Sequence, residues 1–115
     1  MVIVLFEVCL KEGKMDEYLR RASVLKSELA NFKGLVSIER FQSLNSPNKL
    51  LSKSVWQSEE DIKAWRNLAQ HRIFQQEGRE SIFEDYTISV VTPTRSYTMS
   101  AREQAPQDSN AYFKI

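Results

Sequence analysis

The sequence predicts one α+β domain whose elements follow one another in the order βαββαβ. The chain has 115 residues, of which 42% are apolar, and this is enough for a single core but not for two. Two stretches carry apolar residues at spacings of three and four, which is typical of amphipathic helices. Four further stretches are rich in β-branched and aromatic residues and are bounded by turn residues, which is typical of strands.

The first strand is predicted over residues 2–10, VIVLFEVCL, and a turn at Lys11-Glu12-Gly13 ends it. Apolar side chains occupy both alternating sets of this strand, so both of its faces need cover. The first helix is predicted over residues 14–32, where the apolar positions form one stripe. Gly34 follows that helix as a stop signal.

A hairpin is predicted next, because the turn cluster SLNSPNK separates GLVSIERFQS from LLSKSVWQ. Ser58 then opens a second helix with an acidic first turn, where its hydroxyl can cap the free N–H groups. The last strand is predicted over Asp85 to Val91, with a continuation from Arg95 to Met99.

The second helix raises a question about Trp65 and His71, the only histidine. Six residues correspond to about 600°, so on an uninterrupted helix the two side chains would point about 120° apart. Either the helix breaks between Leu68 and Gln70, or only one of the two side chains faces a shared site. No Pro or Gly forces a break there, and both alternatives stay open.

The βαββαβ order is the split βαβ, or ferredoxin-like, arrangement: a four-stranded antiparallel sheet with two helices on one face. Two helices cover only that face, so the first strand requires a second cover, most simply the same face of an identical subunit. We therefore expect a homodimer. We expect residues 1–99 to form the domain, and residues 100–115 to form a tail packed on the domain or the partner through Tyr112 and Phe113.

Charge and cysteine content argue against several functions. Sixteen basic and fifteen acidic residues give a net charge of +1 and are spread along the chain, which favours neither nucleic acid nor a membrane surface. The strand LLSKSVWQ also lacks the stacked aromatic residues with which such sheets bind RNA. The apolar run Met1 to Phe6 has no signal-peptide features. A single cysteine, Cys9, excludes an internal disulfide and makes the cytoplasm the expected location.

A pattern in the second half of the chain points to a family. Its elements are Val55-Trp56 at a strand end, Trp65 on a capped helix, His71-Arg72, Gly78-Arg79, Asp85-Tyr86 and Arg95-Ser96-Tyr97. This pattern resembles the antibiotic biosynthesis monooxygenase family. The resemblance implies a dimeric α+β barrel, in which two sheets pack face to face, and a small-molecule pocket between sheet and helices in each monomer.

The resemblance also implies a chemistry. Some members of the family are cofactor-independent monooxygenases that oxidise polycyclic phenols to quinones, and the deprotonated substrate itself donates electrons to dioxygen. The leading expectation is such an enzyme, acting with O2 on a small aromatic or quinol-like substrate, without cofactor or metal. The alternatives are a non-catalytic binding protein for haem or another flat hydrophobic ligand, and a stress-related protein whose barrel is purely structural.

A haem-degrading branch of the family is disfavoured. That branch uses an asparagine on the first strand, whereas the middle of this strand reads Leu5-Phe6-Glu7-Val8. Its histidine also lies further beyond the tryptophan than His71 lies beyond Trp65. Simple haem binding through His71 stays open.

The candidate catalytic residues are His71 and Glu7. His71 is a proton acceptor near neutral pH, a haem ligand, or a helix histidine with a structural role. Glu7 lies in an apolar strand, so it is either paired with Arg40 or has a raised pKa and acts as a base. The candidate substrate-binding residues, on the pocket wall, its edge or the dimer interface, are Trp65, Asn67, Trp56, Tyr86 and Arg95.

Overall fold

A computed structural model describes residues 1–115, apart from the side chains of residues 69 and 70. Its elements are β1 (Val2–Leu10), α1 (Met15–Leu29), β2 (Leu35–Gln42), β3 (Lys49–Trp56), α2 (Glu59–Arg66), α3 (Ala69–Glu77), a π-helical turn (Gly78–Ile82), β4 (Phe83–Val91) and α4 (Gln107–Phe113). The predicted βαββαβ order is confirmed. The second helix consists of two pieces, and a short helix follows the last strand.

The four strands form one antiparallel sheet in the order β2-β3-β1-β4. The ferredoxin-like fold is therefore confirmed, with β1 in an interior position. Phe6 in the middle of β1 lies opposite Ser52 of β3 and Ile88 of β4. Directly paired residues of antiparallel strands share a face, so this register fixes which side chains point toward the helices.

The core lies between the sheet and the helices and consists of two clusters. The first contains Val8, Leu10, Tyr18, Ala22, Leu50, Ile82 and Phe83. The second contains Leu29, Trp56, Ile62 and Trp65. A cavity that members of both clusters line lies in the same layer.

The predicted start of the second helix is confirmed at Ser58. Its hydroxyl oxygen accepts a hydrogen bond from the Asp61 backbone N–H at 3.3 Å, and an acidic first turn follows. The first helix is shorter than predicted, because it ends at Leu29 instead of residue 32. A tight turn then leads to Gly34, whose φ of 88° places the backbone in the left-handed region before β2 begins.

The predicted continuation of the last strand from Arg95 to Met99 is wrong, since β4 ends at Val91. Val91 lies opposite Ile3, one residue from the beginning of β1, so further residues of β4 would have almost no strand left to pair with. Pro93 also removes a backbone donor. The segment after β4 is coil with local hydrogen bonds, and it is followed by the short helix α4.

The C-terminal tail forms hydrogen bonds within itself and with the segment that directly precedes it. The Ser96 backbone N–H donates to Gln104 Oε1 at 2.7 Å, and Arg102 Nε donates to Asn110 Oδ1 at 3.0 Å. Tyr112 is 81% exposed and Phe113 is 62% exposed. Packing of this tail on the domain or on a partner subunit stays a prediction.

The second face of the sheet carries no helix among the described elements. Strand alternation and register place there the side chains of Ile3, Leu5, Cys9, Phe41, Leu51, Val55 and Val91. Phe41 and Val91 are exposed, and the others are half-buried. We call this the open face. Within the described chain, no helix is both long enough and apolar enough to cross a bilayer.

Candidate functional site

The second helix breaks at Asn67 and Leu68. Helix α2 ends at Arg66, Leu68 is extended with φ of −67° and ψ of 137°, and α3 begins in a new direction at residue 69. The Asn67 side chain satisfies backbone and side-chain groups at the break: Nδ2 donates to the Lys63 carbonyl at 3.0 Å, and Oδ1 accepts from Arg72 at 2.8 Å. Of the two alternatives, the broken helix is the one observed.

This break brings Trp65 and His71 together, with ring centroids 5.0 Å apart and ring planes inclined by 56°. Both side chains line a cavity of about 380 Å³ between the sheet and helices α1 to α3. Its floor consists of inward-facing residues of the strands: Val4, Phe6, Ile38, Arg40, Ser52, Ser54, Trp56, Tyr86, Ile88 and Val90. A cavity of this size and lining is suited to a small apolar or aromatic molecule.

His71 lines this cavity and is half-buried. Its Nδ1 atom is buried and has no hydrogen-bond partner among the described groups. Burial lowers the pKa of His71 below its ordinary value of 6.5, the carbonyl of Arg66 acts in the opposite direction, and the charge of Arg72 lowers it further. The imidazole is therefore neutral at pH 7, and a neutral imidazole can accept a proton.

Trp65 forms one aromatic wall of the cavity and is only 7% exposed. Phe32 meets it edge to face at 5.4 Å and also meets Trp56 edge to face at 6.2 Å. The Trp56 indole N–H donates to the Ser54 hydroxyl at 2.9 Å, so its polar group is satisfied. These contacts hold the wall beside His71 in one arrangement.

Arg40 and Tyr18 form a polar part of the cavity that our sequence analysis did not identify as a site. Arg40 Nε is buried without a hydrogen-bond partner among the described groups, and the guanidinium lies 5.8 Å from the centre of the Tyr18 ring. Burial raises the pKa of Tyr18, and the positive charge of Arg40 acts in the opposite direction. The sequence offered one signal for Arg40. It lies two residues after Ile38, so strand alternation places both side chains on the inward face of β2.

The structure brings together four of the seven predicted site residues, since His71, Trp65, Trp56 and Tyr86 all line the cavity. Tyr86 lies toward its edge, where its hydroxyl accepts from Arg79 at 2.6 Å. Asn67 is exposed outside the cavity and acts at the helix break. Arg95 is exposed in the segment after β4 and is also outside it.

Glu7 lies outside the cavity that His71 lines, and the pairing of Glu7 with Arg40 that the sequence suggested is not observed. Strand alternation directs its neighbours Phe6 and Val8 toward the helices, so Glu7 points to the open face. Its carboxylate lies 4.0 Å from Lys49 Nζ, and not beside Arg40, which lies on the helix side. The structure therefore leaves His71 as the candidate base.

The charge of the cavity lining is one-sided. Four of the described lining residues are basic, namely Lys26, Arg40, Arg66 and Arg72. No described lining residue is acidic. Within the part of the chain that the structure describes, no group of three or more His, Cys, Asp or Glu side chains is arranged to hold a metal ion.

A ferredoxin-like sheet with a ligand-sized cavity beneath its helices defines a class of small α+β domains. Within that class, the chain belongs to the antibiotic biosynthesis monooxygenase family, whose profile matches residues 1–77. The chain is also 36% identical over 113 residues to a protein of Pyricularia oryzae named jasmonate monooxygenase ABM. That match covers 90% of this chain and 53% of the relative, so the chain spans about half the length of the curated relative it matches.

Solved structures agree on the fold. A candidate antibiotic biosynthesis monooxygenase from Deinococcus radiodurans superposes with a TM-score of 0.77 at 11% identity, over 86% of this chain and 98% of that one. A mutant of SnoaB from Streptomyces nogalater, described as a cofactor-independent oxygenase, superposes with a TM-score of 0.72 at 10% identity, over 83% and 94%. At these identities the likeness concerns the fold alone.

Proposed function

We propose that this protein is a cofactor-independent monooxygenase that oxidises a small aromatic or quinol-like substrate with O2 in the cavity beside Trp65 and His71. The observation that carries the proposal is that His71 and Trp65 together line a cavity of about 380 Å³, a space large enough for a substrate. Membership of the monooxygenase family and the name of the Pyricularia relative support the same reaction class.

His71 acts as the base in this proposal. Its neutral imidazole accepts a proton from the substrate, and the resulting carbanion or phenolate donates electrons to O2. For a substrate with an activated methylene group, the overall reaction with one molecule of O2 converts the methylene into a carbonyl group and releases one molecule of water. The substrate supplies all four electrons, one oxygen atom enters the product and the other leaves as water, so no further reductant is required.

The lining of the cavity suits this reaction. Trp65 and Phe6 present apolar surface to a flat ring. A ring stacked against Trp65 lies beside the His71 imidazole, because the two centroids are 5.0 Å apart.

We further propose that the protein is a homodimer whose subunits pack through their open faces. Seven apolar or sulfur-containing side chains lie on that face without a covering helix among the described elements. Apposition of two such faces would remove these side chains from water and form the α+β barrel.

Oxygen consumption tests the proposed function. A panel of hydroquinones, anthrone-like phenols and jasmonate is offered to the protein in an oxygen-electrode cell, with each rate compared with autoxidation in buffer. At least one aromatic compound is expected to be consumed faster with the protein, and the excess rate is expected to vanish in His71→Gln. If no compound exceeds its autoxidation rate, the monooxygenase proposal fails.

A second candidate is a non-catalytic binding protein for haem, because an unpartnered imidazole nitrogen is also what an axial ligand provides. Titration with haem, followed by absorbance spectroscopy, separates the two proposals. We expect no shift of the Soret band. A shift that is lost in His71→Ala would establish ligation and favour the second candidate.

A further inference from the structure

We infer that the ligand of this cavity carries a carboxylate group, which binds to the guanidinium of Arg40. The inference rests on the proposed small-molecule site and specifies the class of molecule that fits it. It concerns recognition and requires no oxygen chemistry.

Arg40 is placed to receive an anion. It lies on the edge strand β2 opposite Ser52, and both side chains line the cavity. Its side chain is half-buried, and its Nε–H group is buried without an acceptor among the described groups, so protein groups do not hold this part of the guanidinium. No described carboxylate lies within ion-pairing distance of Arg40.

The charges around the cavity indicate the sign of the ligand. The whole chain has nearly equal numbers of basic and acidic residues, sixteen and fifteen, but the described lining has four basic residues and no acidic one. Lys26, Arg66 and Arg72 are exposed and lie at the rim, where they would attract an anion from solution. Arg40 is the cation of the described lining that is not exposed, so it is the one that meets a bound ligand.

The chemistry at Arg40 favours a carboxylate over a phosphate. A guanidinium presents paired, parallel N–H groups that match the two oxygens of a carboxylate. The neighbouring lining groups that can donate are the neutral hydroxyls of Tyr18 and Ser52. One inner cation and two neutral donors suit a single negative charge, whereas a phosphate dianion would leave a charge uncompensated.

The aromatic contacts give the ligand a direction. Arg40 lies against Tyr18, and the Tyr18 ring lies 6.2 Å from the ring of Phe74. Phe74 and His71 are three residues apart on α3 and therefore share one helix face. The carboxylate is thus at one end of the ligand, and the ring beside His71 and Trp65 is at the other. The inferred class is an aromatic acid whose carboxylate and reacting ring lie at opposite ends of the molecule.

Matched ligands test the inference by isothermal titration calorimetry. The probes are 2-naphthoate and 2-naphthamide, which have nearly the same shape and differ in charge. Naphthoate is expected to bind at least about tenfold more tightly than naphthamide at pH 7.5, because charge-assisted hydrogen bonds are stronger than neutral ones. Arg40→Met is expected to remove the preference with little change in naphthamide binding, and Arg20→Met, an exposed α1 position outside the lining, is the matched control.

Three results would overturn the inference. These are equal affinities of the wild-type protein for the two probes, a preference that persists in Arg40→Met, and tighter binding of 2-naphthyl phosphate than of naphthoate. If Arg40→Met fails to fold, Arg40→Lys keeps the charge without the paired donors, and its preference should be weaker than that of the wild type. Because no turnover is involved, a failed oxygen assay with an intact naphthoate preference would reject the monooxygenase proposal alone.

Discussion

The rings of Trp65 and His71 lie 5.0 Å apart although they belong to different helices. On one continuous helix these side chains would diverge by about 120°. The extended backbone of Leu68 redirects the chain, so the His71 imidazole turns toward the indole and into the cavity. Loss of helical continuity at two residues therefore creates the candidate site.

Replacement of His71 by Gln is expected to lower kcat of the oxygenase reaction by about 10²- to 10⁴-fold, because a positioned general base contributes an effect of that size. KM should change little, since Gln has similar size and keeps the aromatic wall intact. Steady-state oxygen uptake measures both constants. Ile73→Gln, an exposed position on the same helix, is the control and should retain wild-type rates.

The reaction is expected to require unprotonated His71, whose pKa burial lowers below 6.5. The rate constant kcat/KM should therefore rise with pH, with a midpoint below 6.5, and reach a plateau by neutral pH. Folding favours the neutral imidazole, so its contribution to stability is complete above pH 6.5 and is lost as pH falls through the lowered pKa. A pH profile that is unchanged in His71→Gln would show that another group titrates.

Ile3→Asp is expected to separate the proposed dimer, because Ile3 lies opposite Val55 and Val91 on the open face and a charge there would have no basic partner directly opposite it. Light scattering coupled to size exclusion should give twice the chain mass of 13.4 kDa for the wild type and a single chain mass for the variant. Val24→Asp, on the solvent side of α1 and 62% exposed, should remain dimeric. A monomeric wild type at micromolar concentration would contradict the proposed barrel.

Gly34 and Gly13 offer a matched test of the turn that leads into β2. Both have positive φ, but a Cβ at Gly34 would collide with the Asp61 side chain, whereas a Cβ at Gly13 would meet nothing within 4 Å. We expect Gly13→Ala to cost about 1–2 kcal/mol, and Gly34→Ala to cost about 1–3 kcal/mol more. Urea unfolding measures both, and equal losses would mean that Asp61 moves aside freely.

The order of elements could be predicted because each boundary has a local cause. Ser58 caps α2, and the turn cluster before β3 separates two strands. The sequence could not decide between a continuous and a broken second helix, since the residues at the break include neither Gly nor Pro. Its cause is tertiary: Leu68 packs on the second core cluster, and Asn67 bonds with Arg72 on the next helix.

The site was predictable only where its residues follow a family pattern. Trp65 and His71 belong to such a pattern, and the structure places both at the cavity. Glu7 was considered because it interrupts an apolar strand, but alternation directs it to the open face. Arg40 was considered only as a partner for Glu7, because its buried and unpartnered Nε–H becomes visible only when β2, β3 and α1 are assembled.

Isotopic labelling tests the proposed monooxygenase reaction most directly. A substrate that the oxygen assay identifies is converted under ¹⁸O-labelled dioxygen, and the product is examined by mass spectrometry within a single turnover, with ¹⁸O-labelled water under unlabelled dioxygen as the control. We predict one ¹⁸O atom per product molecule from dioxygen and none from water. An unlabelled product accompanied by an equal amount of hydrogen peroxide would contradict the proposed function.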